Sequence, residues 1–406
     1  MKRLIFIFLS LLLTAGTVFA QQPARALRAD GKPGINLSLW KGLATQRTDS
    51  VGSTLFNLGF ASHFNRLNGC GINVLAGVVN KDANGLQIAG ISNRTIGYLR
   101  GLQIAGITNF NGAQMMGASV AGLVGIHAKG WTGLSVSGLV NVAGDPGRGV
   151  MIGGLVNVLG MQTAGVHIAG LANVSGHSRG ASVAGLVNAV SGHVKGVQMA
   201  GLTNVAENNT TGVQVGGLIN VTGDTLRGAQ IGIANMARRV KGLQIGLFNY
   251  YRDSLDGFQL GLVNANPRTR LQLLTYAGNA TKLNVGVRFK NPFYYTILGI
   301  GSPFLGLNEK FSLALSYRAG LELPLYDRFY LSGDLGYQHV ETFANKHHGH
   351  PARLFALQGR VNVEYRYNER CGFFLSTGYE RSYSYGGSFY RQRALIEGGV
   401  ALYQFR

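Results

Sequence analysis

Three histidines fall within one short stretch, Lys346-His347-His348-Gly349-His350. Imidazoles this close together are what a transition metal would recruit. No cysteine or carboxylate within the stretch completes a ligand set, so it reads as a polar loop between two strands and no metal is assigned. His127, His167, His177 and His193 do not fall at one position of the repeat described below, and they read as surface side chains. Carboxylates are scarce in the repeats: Asp82, Asp145, Glu207, Asp224, Asp253 and Asp256 all lie in expected turns. Cleaving a polysaccharide by acid and base needs carboxylates clustered on one face. No nucleophile elbow is read in the chain, and no Gly-Lys-Ser/Thr follows a strand to hold a phosphate. The expectation is a non-enzymatic protein without a cofactor.

The side chain that does recur at fixed spacing is an amide. Gly85-Leu86-Gln87-Ile88-Ala89-Gly90-Ile91-Ser92-Asn93 returns as Gly101-Leu102-Gln103-Ile104-Ala105-Gly106-Ile107-Thr108-Asn109, and further copies follow at a step of usually 16 residues, sometimes 15. Asn80, Asn93, Asn109, Asn141, Asn157, Asn173, Asn188, Asn204, Asn220, Asn235, Asn249 and Asn264 close these copies, while Gly125 stands where the degenerate copy 117–125 should have one. A primary amide both donates and accepts, so amides stacked at strand spacing can bond along the stack as a structural ladder.

Such a ladder needs elements that repeat in phase. Each copy carries two or more glycines, each costing about 1 kcal/mol inside a helix, and the β-branched content favours strands. Ile88 and Ile91 are three apart and can share a face only if Ala89-Gly90 makes a corner or bulge. The repeat therefore reads as strand, glycine corner, short strand and polar turn, with about 12 such units stacked as coils of a β-solenoid. Earlier copies are read at 71–80 and, weakly, 54–62. Shortened copies at 228–235, 242–249 and 257–264 drop one residue, which should put Ile245, Leu247 and Asn249 on one face of a straight strand. The alternative fold makes each repeat a strand of one large transmembrane barrel. Lipid-facing strands need aromatic girdles, yet between 85 and 247 the aromatics are Tyr98, Phe110 and Trp131 alone.

From about Leu271 the pattern changes to long strands of period two. Phe355, Leu357, Gly359, Val361, Val363, Tyr365 and Tyr367 alternate with Ala356, Gln358, Arg360, Asn362, Glu364 and Arg366. About eight strands are expected, near 271–278, 283–289, 293–301, 311–325, 329–340, 353–367, 372–384 and 391–405. An apolar face opposite a charged one, over a length that can cross a tilted bilayer, is the pattern of a membrane barrel. Arg318, Glu322, Arg360, Glu364 and Arg366 should fill its interior. A soluble antiparallel barrel or sandwich would show the same alternation. Tyr403-Gln404-Phe405-Arg406 resembles the terminal aromatic signature of bacterial outer-membrane proteins, with Arg406 as a departure from it.

Lys2 and Arg3, an apolar run from Leu4 to Leu13, and Val18-Phe19-Ala20 read as a secretory signal peptide over 1–20. Later apolar stretches are interrupted before they could form a membrane helix. The chain of 406 residues has 61 Gly, 8 Pro and a formal charge of +20. A basic exported protein suggests anionic neighbours, so an anionic glycan or lipopolysaccharide is the expected partner besides outer-membrane lipid, and nucleic acid is not. Cys70 and Cys371 are the two cysteines, and nothing in their spacing pairs them. The repeated Gly-x-Gln-Ile-Ala-Gly-Leu-x-Asn motif resembles the bacterial surface-repeat proteins over roughly 54–264. That resemblance implies a place at the cell surface and supplies no activity. The C-terminal part looks like a generic outer-membrane barrel. The expected organisation is a signal peptide (1–20), an N-terminal segment (21–53), an all-β solenoid (54–264) and an antiparallel barrel (265–406), exported to the outer membrane or surface of a Gram-negative cell as a structural, adhesive or ligand-binding protein. A pore or transport channel is the alternative, with a polysaccharide-active enzyme ranked behind it.

Overall fold

A computed structural model describes residues 34–40, 43–46, 52–304, 307 and 310–403. The expected signal peptide and residues 404–406 of the terminal signature lie outside these. The chain is nearly all β, 76% strand and 2% helix, with a β-solenoid of about 14 turns followed by a closed eight-stranded antiparallel barrel. No helix among the described residues is long and apolar enough to cross a membrane.

One turn shows how the sequence makes the coil. In Val194–Ala200 the side chains alternate, Val194 and Gln198 pointing inward and Lys195, Val197 and Met199 outward. Gly201-Leu202 turns the corner, Thr203–Ala206 buries Asn204 and Ala206, and 207–209 return the chain to the start of the next turn. The strand then pairs in parallel with Thr210–Gly216, Gly196 against Gly212 and Gln198 against Gln214. Parallel, in-register pairing of consecutive copies excludes the single large barrel, whose neighbouring strands would run antiparallel.

Contacts divide the chain inside the solenoid. One unit reaches residue 122 and includes 126–128, and the other holds 123–125 and 129–406. In the first, Gly34–Trp40 pairs in parallel with Ser53–Phe64, so the stack begins within the segment that the sequence set apart as 21–53. In the second, the shortened copies differ from expectation. Ile245, Leu247 and Asn249 do not lie on a straight strand: the strand Ala234–Ile245 ends, Gly246-Leu247 bends, and Asn249 is buried while Leu247 is exposed. Register pairs Val215 with Ile231 and Ile219 with Ala234, so Gly232-Ile233 span what Gly216-Gly217-Leu218 span one turn earlier, and the corner survives with one residue fewer.

The barrel strands are Arg270–Gly278, Thr281–Lys290, Tyr294–Phe304, Leu313–Tyr326, Phe329–Glu341, Arg353–Arg366, Cys371–Ser384 and Phe389–Tyr403, closed by pairing of the first with the last. The barrel joins the final solenoid turn through Tyr294, whose hydroxyl donates to Gln259 Oε1 at 2.8 Å, through Asn291 Nδ2 to the Asn264 carbonyl at 2.8 Å, and through the Tyr317 hydroxyl to the Gly261 carbonyl at 2.7 Å.

Candidate functional site

The amide row is built by the register just described. In the second unit Asn141 donates to Asn157 at 3.0 Å, and the chain of bonds continues through Asn173, Asn188, Asn204, Asn220, Asn235 and Asn249 to Asn264, each step between 2.8 and 3.0 Å. The same Nδ2 groups reach the carbonyl one turn on, as Asn204 does to Val215 at 2.8 Å. In the first unit Asn93 donates to Asn109 at 3.2 Å, and Asn109 turns to Ser119 Oγ and the Val120 carbonyl. At Gly125 the missing amide is replaced by Ser135 and Ser137, which donate to Asn141 Oδ1 at 2.9 and 2.6 Å.

Asn80 does not belong to the row. Stacking aligns Gly69 with Gly85 and Gly77 with Asn93, so the early copy spans 69–77 rather than 71–80. A side chain at Gly77 would collide with Asn73, whose amide fills that space and accepts from Asn57 at 3.0 Å. Asn80 instead meets His63 Nε2 at 2.8 Å.

A second ladder escaped the sequence reading. Gln198, Gln214, Gln230, Gln244 and Gln259 are buried and bonded in series at 2.6–2.8 Å, as are Gln87 and Gln103 at 2.8 Å. Its signal was the glutamine two residues before the motif alanine, a spacing that places both on the inward face of one strand.

The histidines also need correction. His127 and His167 are fully buried inside the solenoid, and His177 and His193 do share a repeat position, stacked 5.2 Å apart in consecutive turns. His127 faces Asn111 at 3.1 Å, while neither ring nitrogen of His167 has a partner and the ring lies edge-on to Trp131. Gly176-His177-Ser178-Arg179-Gly180 does match the nucleophile-elbow pattern. Ser178 is nevertheless buried within the strand His177–Ala184, 3.1 Å from Ser182 Oγ, with no strand-to-helix turn to expose it.

In the barrel, charges point inward. Arg360 binds Asp334 at 2.9 Å and also Glu397, Arg288 binds Glu364 at 2.6 Å, Lys290 binds Glu322 at 2.8 Å and Arg393 binds Glu380 at 2.9 Å. Arg318 is buried against Gln358, Tyr276 and Glu397, and Arg366, half-buried, reaches Glu322 at 2.7 Å. The central cavity among these groups measures about 10 Å³, barely one water. Outside, Leu273, Leu321, Leu335, Leu357, Leu375 and Ile396 are exposed.

On the solenoid's outside, the position before the motif glycine carries a basic column of Arg148, Arg179, Lys195, Arg227 and Lys241, interrupted by Ala164 and Thr211 and followed by Asp256. The histidine-rich stretch lies in the short 3-10 helix Phe343–His348 and the residues after it. There His348 meets Lys310, His350 meets the Tyr390 hydroxyl at 2.9 Å, and among the described residues no three histidines, cysteines or carboxylates converge on a metal-sized site. Both cysteines are free thiols.

No family model and no curated protein matches the chain. A solved structure described as a de novo designed transmembrane β-barrel is similar to 33% of this chain over 93% of its own length, at 11% identity and a TM-score of 0.22. At that score the likeness adds nothing to the geometry.

The buried imidazoles make the solenoid acid-sensitive. Burial lowers both His127 and His167 from the ordinary value of 6.5 to about 4. A histidine with a depressed folded-state pKa binds its proton more readily when unfolded, so its cost is absent above pH 6.5 and grows as the pH falls towards 4. Each can remove up to about 3 kcal/mol. His167→Met, which repeats the side chain of Met151 one turn earlier, should blunt the loss of stability between pH 6.5 and 4 in denaturation curves. An unchanged pH profile would show that His167 is not the sensor.

Proposed function

We propose that the chain is a non-enzymatic outer-membrane protein in which the barrel is a plugged anchor and the solenoid is the surface it holds at the membrane. The observation that carries this reading is the inverted barrel, aliphatic outside and ion-paired inside. A soluble barrel would bury its aliphatic face and hydrate its charges. Exposed aromatics also gather towards the two ends, Tyr326, Phe329 and Tyr367 at one and Phe343, Tyr385 and Phe389 at the other, as in interfacial girdles. The basic column supports an anionic partner for the solenoid.

The solenoid enters the barrel at the end that carries the short connections 291–293, 327–328 and 367–370, whereas the long connection 342–352 lies at the other, beside 279–280 and 385–388. In bacterial barrels the short turns are periplasmic. This supports a periplasmic side for the solenoid, in place of the cell exterior that the surface-repeat resemblance implies. Two measurements test the proposal. Purified protein in planar bilayers should give no large, stable conductance steps, and such steps would replace the anchor with a pore. In intact cells, with Cys70 and Cys371 changed to Ser, an impermeant maleimide should label Gly349→Cys and spare Asn208→Cys. The reverse pattern would put the solenoid outside.

A further inference from the structure

The solenoid's surface is apolar where a water-soluble one would be polar. The corner residues Leu171, Leu186, Leu202 and Leu218 form an exposed column in the second unit. Beside it, on the outer face of the long strands, Val183, Val197, Met199 and Ile231 are exposed as well. Polar side chains occupy the interior instead, as the asparagine and glutamine ladders. Contiguous exposed apolar surface on this scale marks a contact surface.

Two observations say what covers it. The basic column borders the same face: Arg179 and Lys195, and Arg227 and Lys241, stand directly over one another in register. Like charges opposed at strand spacing repel, and among the described residues none of these four meets a carboxylate at ion-pair distance. An anionic glycan would satisfy these cations but leave the leucine column in water. The apolar corner also runs up to the barrel's outer wall. Ile231, Ile245, Leu247, Leu260 and Leu262 meet Tyr317 around an open groove of about 540 Å³, with the Tyr317 hydroxyl on the Gly261 carbonyl. Because Tyr317 belongs to the wall that the anchor reading puts against lipid, the corner column continues that lipid-facing surface.

We propose that this face of the solenoid lies on the anionic lipid surface beside its own barrel, with the corner and long-strand aliphatics among acyl chains and the basic column at the phosphates. This is the division of labour of an interfacial amphipathic element, carried out by a sheet. The proposal rests on the barrel being membrane-embedded, and its test separates the two.

Full-length chain, with Cys70 and Cys371 changed to Ser, would carry a polarity-sensitive fluorophore at Leu171→Cys, Asn208→Cys or Leu357→Cys. It would be reconstituted into vesicles of phosphatidylethanolamine with phosphatidylglycerol, or of phosphatidylcholine alone. The Leu357 probe, on the barrel wall, should report lipid in both. The Leu171 probe should report lipid in the anionic vesicles and several-fold less in phosphatidylcholine, and the Arg179→Glu, Lys195→Glu pair should abolish the difference. The Asn208 probe, on the opposite turn, should stay in water. A Leu171 probe that remains in water in every vesicle while the Leu357 probe is in lipid overturns the proposal and spares the anchor. A Leu171 probe shielded equally in both lipids, with cross-links between copies, gives the face to a second copy of the chain and also overturns it. If the Leu357 probe stays in water, the anchor falls and the proposal, which rests on it, falls with it.

Discussion

Gly212→Val should unfold the turns around it, at a cost of about 4 kcal/mol or more. Gly212 has a φ of +134°, a region closed to β-branched residues, and a Cβ there would land on the carbonyl oxygen of Gly196 in the turn before. That oxygen cannot retreat, because Gly196 is itself stacked on Gly180 at a φ of +134°. The same glycine recurs turn after turn from Gly69 to Gly257, so strain at one position passes along the stack to its neighbours. In a repeat array each turn is stabilised mainly by the two it touches, and the loss should appear as local opening rather than a lower global midpoint. Hydrogen exchange should show protection falling sharply across 196–228 and little across the barrel. Lys195→Val, outward on the neighbouring strand, is the control and should change stability by less than about 0.5 kcal/mol. Equal protection in Gly212→Val and the parent chain would refute the argument.

Arg360→Leu should destabilise the barrel by about 3–5 kcal/mol. Arg360 donates from Nε and Nη2 to the two oxygens of Asp334 at 2.9 and 3.0 Å and also holds Glu397, all three within the closed interior. Removing the guanidinium leaves buried Asp334 without its ion-pair partner and Glu397 with Arg318 alone at 3.7 Å, and most of the cost is this under-compensated burial. Heat-dependent gel mobility in mild detergent is the measurement, with the folded band lost at a markedly lower temperature. Adding Asp334→Asn removes the stranded charge while Glu397 keeps Arg318, and should recover much of the stability. Failure of that rescue would mean that Arg360 acts through packing.

Much of this architecture was legible because it is periodic. The 16-residue step predicted a solenoid, and the alternation from Phe355 to Tyr367 predicted barrel strands close to those observed. The errors have one physical source. In this solenoid polarity no longer separates inside from outside, so His127 and His167 were assigned to the surface when they are core, and the inward glutamines passed unnoticed. Asn80 failed for a different reason. Its copy was placed by the best local match, whereas the register is imposed by the stacked backbone of Gly69 on Gly85. In the barrel, alternation identified Arg360 as inward but could not name its partners: Asp334 faces it only once the register across the 342–352 connection is set, and Glu397 comes from a strand that does not neighbour it.

Parallel, in-register stacking with amide ladders is also the arrangement by which chains template one another into fibrils, each exposed end being a site for the next strand. At the last turn of this solenoid, that growing end is occupied: Tyr294 ties up Gln259, the final rung of its ladder, and Asn291 takes the carbonyl of Asn264. On this argument the barrel covers the growing end of the stack, in addition to the anchoring role proposed for it. A chain ended after Asn264 should present an unfinished ladder and elongate into filaments visible by electron microscopy, while the full chain should not. Filaments from both, or from neither, would show that the barrel does not terminate growth.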